Sequence, residues 1–202
     1  MNVRDHTKEI FVILSSILII YANRTTSTRG FENFIYKEAV FYLIVPVLLV
    51  LALRLKPADM GLGAGDGRKV AKYFVLLFVA ALPFMIAGSR MDAFRLYYPR
   101  FSYGSWWEFL RWELLVGVLM LATEVMYRGY LMFGLKKYGR VAIVVQAVPY
   151  MLIHLGKPDL EVYYSFFAGV AFGYVDWESR TVLTSFLLHW TTSICFDLMC
   201  TL

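Results

Sequence analysis

The sequence predicts an all-α, polytopic integral membrane bundle of about seven helices, with six to eight compatible with the pattern. Hydrophobic residues make up 59% of the 202 residues and charged residues only 17%, whereas about a quarter of a soluble domain's residues are charged. The apolar residues are also gathered into long runs. Because backbone groups in lipid must be hydrogen-bonded within their own segment, such runs predict helices.

The apolar runs give the elements in chain order, at about residues 10–22, 39–53, 70–88, 106–135, 141–155, 160–175 and 182–199. Several are shorter than the roughly 20 residues that cross a bilayer without strain. The runs at 141–155 and 160–175 are therefore expected either to lie tucked among neighbouring helices or to span it only partly. The first run follows a charged start with Arg4 and Lys8, but no small-residue cleavage site stands clearly after it, so it is predicted to be a retained helix.

A glycine-rich linker at residues 56–69 separates two leading helices from the rest of the chain. Residues 1–103 are therefore predicted to hold amino-terminal membrane helices and this linker. The next helix begins at Ser105, which with Glu108 has the Ser-x-x-Glu form of a capping box. Tryptophans near this start fit an interfacial aromatic belt: Trp106, Trp107 and Trp112.

Ser165, Gly169 and Gly173 place small residues on one face of a later helix, which predicts close helix packing or, alternatively, a glycine-lined substrate path.

The net charge of +5 comes from short basic clusters between apolar runs. Such clusters suit anionic head groups and topology, and no basic stripe indicates nucleic-acid binding. The cysteines, Cys195 and Cys200, indicate packing rather than a disulfide or metal site. With seven spans, the amino terminus shares a side with loops whose basic residues slightly favour this side as cytoplasmic: Arg54, Lys56, Arg68, Lys69, Lys72, Lys136, Lys137, Arg140 and Arg180.

Ionisable residues inside apolar runs are expensive and are candidates for function. Glu124 and Arg128, four residues apart, share a helix face, although a packing ion pair is an equal alternative for them alone. Two histidines then head polar stripes at four-residue steps: His154 with Gln146 and Tyr150, and His189 with Ser193 and Asp197. Counted from the side of Lys136, the depths are about 18 Å for Glu124, 21 Å for His154 and 14 Å for His189.

This set predicts hydrolysis of an acyl bond without a serine or cysteine nucleophile. A carboxylate in a low dielectric, paired with an imidazole, can take a proton from water. A second imidazole can donate to the developing oxyanion. Arg128 would hold the carboxylate in place.

Three motifs resemble the CPBP family of CAAX prenyl endoproteases and bacterial relatives linked to bacteriocin processing and immunity. They begin at Thr123-Glu124, Tyr150 and His189, in the family's order Glu-Glu-x-x-x-Arg, Phe-x-x-x-His and His-x-x-x-Asn. The resemblance covers about residues 104–198, which it implies to be the catalytic membrane domain. It implies that the first-motif glutamate and His154 activate water, and that His189 and the residue at position 193 form the oxyanion site.

The chain departs from the family pattern at two site positions. Thr123 stands where the family has its first glutamate. Glu124 and Glu161, which follows His154 by seven residues, are therefore the candidates for the activating acid. Ser193 stands where the family has asparagine and can donate one hydrogen bond over a shorter reach. Asp197, four residues further on, would complete that polar face.

The favoured hypothesis is a glutamic intramembrane endopeptidase without a cofactor, acting on a peptide or protein substrate near the membrane surface of a bacterial or archaeal inner membrane. A zinc site at Glu124, His154 and His189 is a less favoured variant, because no His-x-x-x-His pair is present. The alternative class is a non-catalytic pseudoprotease, immunity factor or assembly partner. A proton relay is a third class, although the chain shows no repeated halves.

Overall fold

The computed structural model describes residues 6–202, so Arg4 of the charged start lies outside the described part. Within these residues the chain forms eight helices and no strand, which confirms the predicted all-α bundle. They are α1 (Thr7–Thr25), α2 (Phe31–Ala52), α3 (Gly67–Gly88), the single-turn α4 (Asp92–Arg95), α5 (Trp106–Glu124, continued by Val125–Met132), α6 (Val141–Leu152), α7 (Asp159–Ser179) and α8 (Leu183–Thr201).

By length and composition, two of the described helices could cross a membrane, Phe31–Ala52 and Gly67–Gly88. The other long helices carry buried polar or charged side chains within their apolar sequence, and those side chains lower the mean hydropathy of each helix. α7 is longer than its apolar run because it continues to Ser179; its 21 residues reach about 32 Å. α6 has only 12 residues and is the short helix that the sequence predicts.

Helix α5 lies at the centre of the main apolar cluster, and its backbone geometry changes after Glu124. It begins with the predicted cap, because the Ser105 hydroxyl accepts a hydrogen bond from the Glu108 N–H at 3.3 Å. The Glu108 carboxylate returns to the Gly104 N–H at 2.6 Å. After Glu124 the helix widens to π geometry over Val125–Met132, and all eight residues are buried. Single-turn π segments inside helices occur frequently at functional sites.

Helices α6 and α7 approach closely through the small-residue face. A Cβ atom added to Gly173 would lie 2.8 Å from Gln146 Nε2, and one added to Gly169 would lie 3.0 Å from Tyr150 Cδ1. The Gln146 amide also donates to the Gly169 carbonyl at 2.7 Å. The face is therefore occupied by the neighbouring helix, which favours the packing interpretation over a substrate path.

Polar contacts join several connections between helices near the start of α1. There, the His6 Nδ1 lies 3.0 Å from the Tyr138 hydroxyl, and Lys136 pairs with Asp59 at 3.1 Å. Lys136 therefore lies at the same end as the start of α1, as the predicted grouping requires. At the Lys136 end, Asp59 is exposed, and its hydrogen bond with Lys136 lowers the pKa of its carboxyl.

Candidate active site

Glu124 and Arg128 form the centre of the candidate site, at the junction of the α- and π-helical parts of α5. Both side chains have no solvent exposure, and Glu124 Oε2 lies 3.2 Å from Arg128 Nη1. The Arg128 guanidinium also lies over the rings of Tyr150, at 3.9 Å, and Phe172, at 5.5 Å. A buried cation needs such partners, because its desolvation is costly.

Helix α8 brings His189 to the other carboxylate oxygen. His189 Nδ1 lies 2.7 Å from Glu124 Oε1, and the His189 side chain is 18% exposed. Because an ionised carboxylate only accepts hydrogen bonds, His189 Nδ1 must carry the proton in this contact. Glu124 is thus held between a guanidinium and an imidazole, and the more accessible imidazole leaves its Nε2 available.

His154 lies two residues beyond the end of α6, whereas the sequence predicts it on that helix. Gly156, at φ +94°, and Pro158 follow it and do not favour helical continuation. The histidine keeps its orientation because its Nδ1 donates to the Tyr150 carbonyl at 2.8 Å. That bond fixes the tautomer, so the neutral ring presents Nε2 as a proton acceptor.

Tyr150 connects the two histidines. Its ring makes edge contacts with His154 at 4.7 Å and with His189 at 6.3 Å, measured between ring centroids. The structure therefore brings together the four predicted catalytic side chains around one tyrosine: Glu124, Arg128, His154 and His189.

The remaining predicted residues lie further from this centre. Glu161 pairs with Lys157 at 2.7 Å and accepts a hydrogen bond from the Tyr98 hydroxyl at 2.8 Å. Asp197 is buried against Glu113, two helical turns from His189. Ser193 is half-buried on α8 between His189 and Asp197. The predicted supporting roles of Glu161, Asp197 and Ser193 stay predictions.

Thr123 occupies the position that the family gives to a glutamate. Its hydroxyl donates to the Leu119 carbonyl at 2.9 Å, one turn back along α5. The Thr123 hydroxyl is therefore hydrogen-bonded within its own helix. Glu124 is the acid of this motif that contacts a histidine.

The sequence reasoning missed Asp176 and Ser185. Asp176 has no solvent exposure, and its carboxylate accepts hydrogen bonds from the Ser185 N–H at 2.9 Å and the Ser185 hydroxyl at 2.5 Å. Asp176 lies just past the apolar run 160–175, where an acid resembles a solvated helix end. Its place three residues after Gly173, on the buried small-residue face of α7, was the signal that could have identified it.

No group of three histidine, cysteine or acidic side chains within residues 6–202 lies together in a way that could hold a metal ion. Glu124 and His189 instead contact each other directly, and His154 Nδ1 is engaged with a backbone carbonyl. Each histidine thus has its Nδ1 engaged and its Nε2 uncommitted, which is also how a histidine that binds a metal is usually held, so the zinc variant stays a less favoured prediction.

Residues 104–195 match the family model described as Type II CAAX prenyl endopeptidase Rce1-like. The match supports CPBP family membership for this segment, the family that the three sequence motifs resemble. No curated protein and no solved structure matches the chain. The matched segment contains α5 to α7 and most of α8, and therefore every residue of the Glu124 site. It supports a membrane-embedded CAAX-type endopeptidase in general terms.

Proposed function

We propose that the chain is a multi-pass intramembrane endopeptidase that hydrolyses a peptide bond with a histidine-activated water. The observation that carries the proposal is the buried Glu124 carboxylate, which contacts Arg128 through one oxygen and His189 through the other. An ion pair that only packed the bundle would need no third, partly accessible imidazole. The coupled arrangement resembles the way in which a buried carboxylate orients a histidine in hydrolases.

In the proposed reaction, His154 Nε2 takes a proton from a water molecule. The oxygen of that water forms a bond to the peptide carbonyl carbon, and the carbonyl electrons move to the oxygen. A doubly protonated His189 donates its Nε2–H to this oxyanion, with Glu124 as its counter-charge. The oxyanion then re-forms the carbonyl, the C–N bond breaks, and His154 returns its proton to the leaving amine.

This division of roles differs from the sequence-based expectation, in which Glu124 takes the proton from water. The difference is supported by burial, because Glu124 has no exposed surface and both of its oxygens face cationic or proton-donating groups. It is also supported by the tautomer of His154, whose Nδ1–H donates to a carbonyl and leaves a bare Nε2. Arg128 keeps its expected role of fixing the carboxylate.

The proposed substrate is a peptide or protein whose scissile bond lies near the membrane surface, with the lipid bilayer as the second partner. A prenylated carboxy-terminal tail is one substrate class, as the description of the matched family suggests. A sorting signal or peptide pheromone in a bacterial or archaeal inner membrane is another. No cofactor is required by the proposed steps.

The test is cleavage of cell-envelope and prenylated peptides by the protein reconstituted in vesicles. The wild type is compared with Glu124→Gln, His154→Ala and His189→Ala, and we expect a loss of about 100- to 10,000-fold in each variant. Undiminished cleavage by His154→Ala would contradict its role as the base. Activity that is abolished by a chelator and restored by zinc would support the zinc variant instead.

A binding function without catalysis is the second candidate, and it is favoured by Thr123. Its hydroxyl is satisfied within α5 and brings no acid to the site. A pseudoprotease or immunity factor would bind peptides without cutting them. Peptide binding by the wild type that is lost in His189→Ala, with no cleavage of any peptide, would support this function over proteolysis.

A further inference from the structure

We infer that Asp176 and Ser185 are positioning residues that fix the rotation of α8 and thereby the placement of His189; the inference rests on the proposed function. Asp176 belongs to α7 and Ser185 to the first turn of α8. Both are fully buried, and neither belongs to the three motifs found in the sequence.

The first turn of α8 receives no capping bond from its own flanking residue, Val182. The first N–H groups of a helix lack partners within the helix and need another acceptor. Asp176 supplies one from the neighbouring helix, because its Oδ1 accepts the Ser185 N–H at 2.9 Å.

A second hydrogen bond between Asp176 and Ser185 restricts the orientation of α8. Asp176 Oδ2 accepts a hydrogen bond from the Ser185 hydroxyl at 2.5 Å, so both carboxylate oxygens bind the same residue. A single bond would allow α8 to rotate about its axis, whereas two bonds to one residue restrict that rotation. Ser185 and His189 are four residues apart and therefore lie on the same helix face.

The same carboxylate also interacts with the catalytic ion pair. Asp176 interacts electrostatically with Glu124 and Arg128, and the Ser185 side chain interacts with Glu124. The Ser185 hydroxyl lies 2.5 Å from Asp176 Oδ2 and 3.1 Å from the Val182 carbonyl, so its shorter contact is the one with Asp176. Glu124 Oε1 accepts a hydrogen bond from His189 Nδ1, which is the contact that the proposed reaction needs.

Ser179 and Thr184 provide a matched control at the same junction. Their hydroxyls lie 2.7 Å apart, and both residues are fully buried. They connect the end of α7 to the start of α8 just as Asp176 and Ser185 do, but their side chains have no described contact with the Glu124 site. A purely structural role for polar contacts here would make both pairs equally important.

The activity test compares Asp176→Asn, Ser185→Ala, Ser185→Thr and Ser179→Ala in vesicles with a cleaved peptide. We expect kcat to fall about 10- to 100-fold in the first two variants with KM nearly unchanged, because a small displacement of a reacting group has such an effect. The double variant Asp176→Asn/Ser185→Ala is expected to lose no more than the worse single variant. Ser185→Thr, which keeps the hydroxyl, is expected to retain activity, and Ser179→Ala is expected to lose less than threefold.

A second readout does not depend on activity. The chain has three histidines, so selective ¹⁵N-histidine labelling gives few signals, and His189→Gln assigns the one of interest. We expect the His189 Nδ1–H signal to shift or broaden in Asp176→Asn and to stay unchanged in Ser179→Ala. An unchanged signal in Asp176→Asn, or an equal effect of Ser179→Ala, would overturn the inference. If the wild type cleaves nothing, the proposed function fails while this signal still tests the positioning role.

Discussion

Two acid–base pairs with the same four-residue spacing occupy very different surroundings in this protein. Glu124 and Arg128 have no exposed surface, and their closest charged atoms lie 3.2 Å apart. Lys157 and Glu161 are 24% and 17% exposed, and their closest charged atoms lie only 2.7 Å apart. The tighter pair is therefore the more accessible one.

The third partner separates the two pairs further. Glu124 binds an imidazole, His189, whereas Glu161 binds a phenol, Tyr98, which comes from the connection between α4 and α5. An accessible ion pair contributes little to stability, whereas removing one member of a buried pair leaves an uncompensated charge. The spacing of an acid and a base thus does not identify a site; burial and the third partner do.

The largest expected effect of this difference is on cleavage. Glu124→Gln removes the counter-charge of His189 and is expected to lower kcat about 100- to 10,000-fold. Glu161→Gln breaks only the outer pair and is expected to change kcat about fivefold or less. Both are measured on the same reconstituted peptide, and an equal loss in the two variants would show that Glu161 is an acid of the site.

A smaller effect is expected on stability, and it can be separated from activity. Arg128→Met leaves Glu124 buried and unpaired, and is expected to lower the free energy of unfolding by about 3–5 kcal/mol. The double variant Glu124→Gln/Arg128→Met is expected to recover most of that loss but no activity. The matched outer variant, Lys157→Met, is expected to lose about 1 kcal/mol or less.

The free energies of unfolding of these variants are to be measured by denaturant unfolding in detergent. If Arg128→Met and Lys157→Met destabilise the protein equally, burial does not distinguish the pairs. A double variant as unstable as Arg128→Met would show that the arginine stabilises the fold through its aromatic contacts with Tyr150 and Phe172 rather than through Glu124.

The smallest effect concerns the outer pair at alkaline pH. Burial of Tyr98, together with the Glu161 carboxylate beside it, raises the pKa of the Tyr98 hydroxyl well above 10.0. A raised pKa means that this contribution to stability is complete below about pH 10 and is lost as the pH rises through the folded-state pKa. The Tm of the wild type is therefore expected to fall more between pH 9 and about pH 11 than the Tm of Tyr98→Phe. Parallel curves for the two proteins would contradict this.

The fold was predictable because long apolar runs determine helices almost directly. The boundaries were less so: α2 begins at Phe31 rather than near 39, because its first turns are amphipathic, with Ile35 and Glu38 buried among exposed polar neighbours. His154 falls beyond α6 because Gly156 and Pro158 end the helical conformation, an effect that hydropathy does not detect.

The part of the candidate site that depends on depth along each helix was predictable from the sequence. Similar estimated depths along two helices suggested that Glu124 and His189 lie near one level, and the structure places His189 Nδ1 2.7 Å from Glu124 Oε1. Rotation and cross-helix contacts have no such signal. Asp176 therefore went unnoticed, and Glu161 could not be assigned to Tyr98, whose contact comes from a distant connection.

The central claim is that Glu124 and His189 act as one unit, and a double-mutant comparison of cleavage tests it most directly. Glu124→Gln, His189→Gln and the double variant are measured on one reconstituted peptide. Residues that act as a unit are strongly non-additive, so the double variant is expected to retain the kcat of the worse single variant. Losses that multiply in the double variant would show that the two side chains act independently, and would contradict the account.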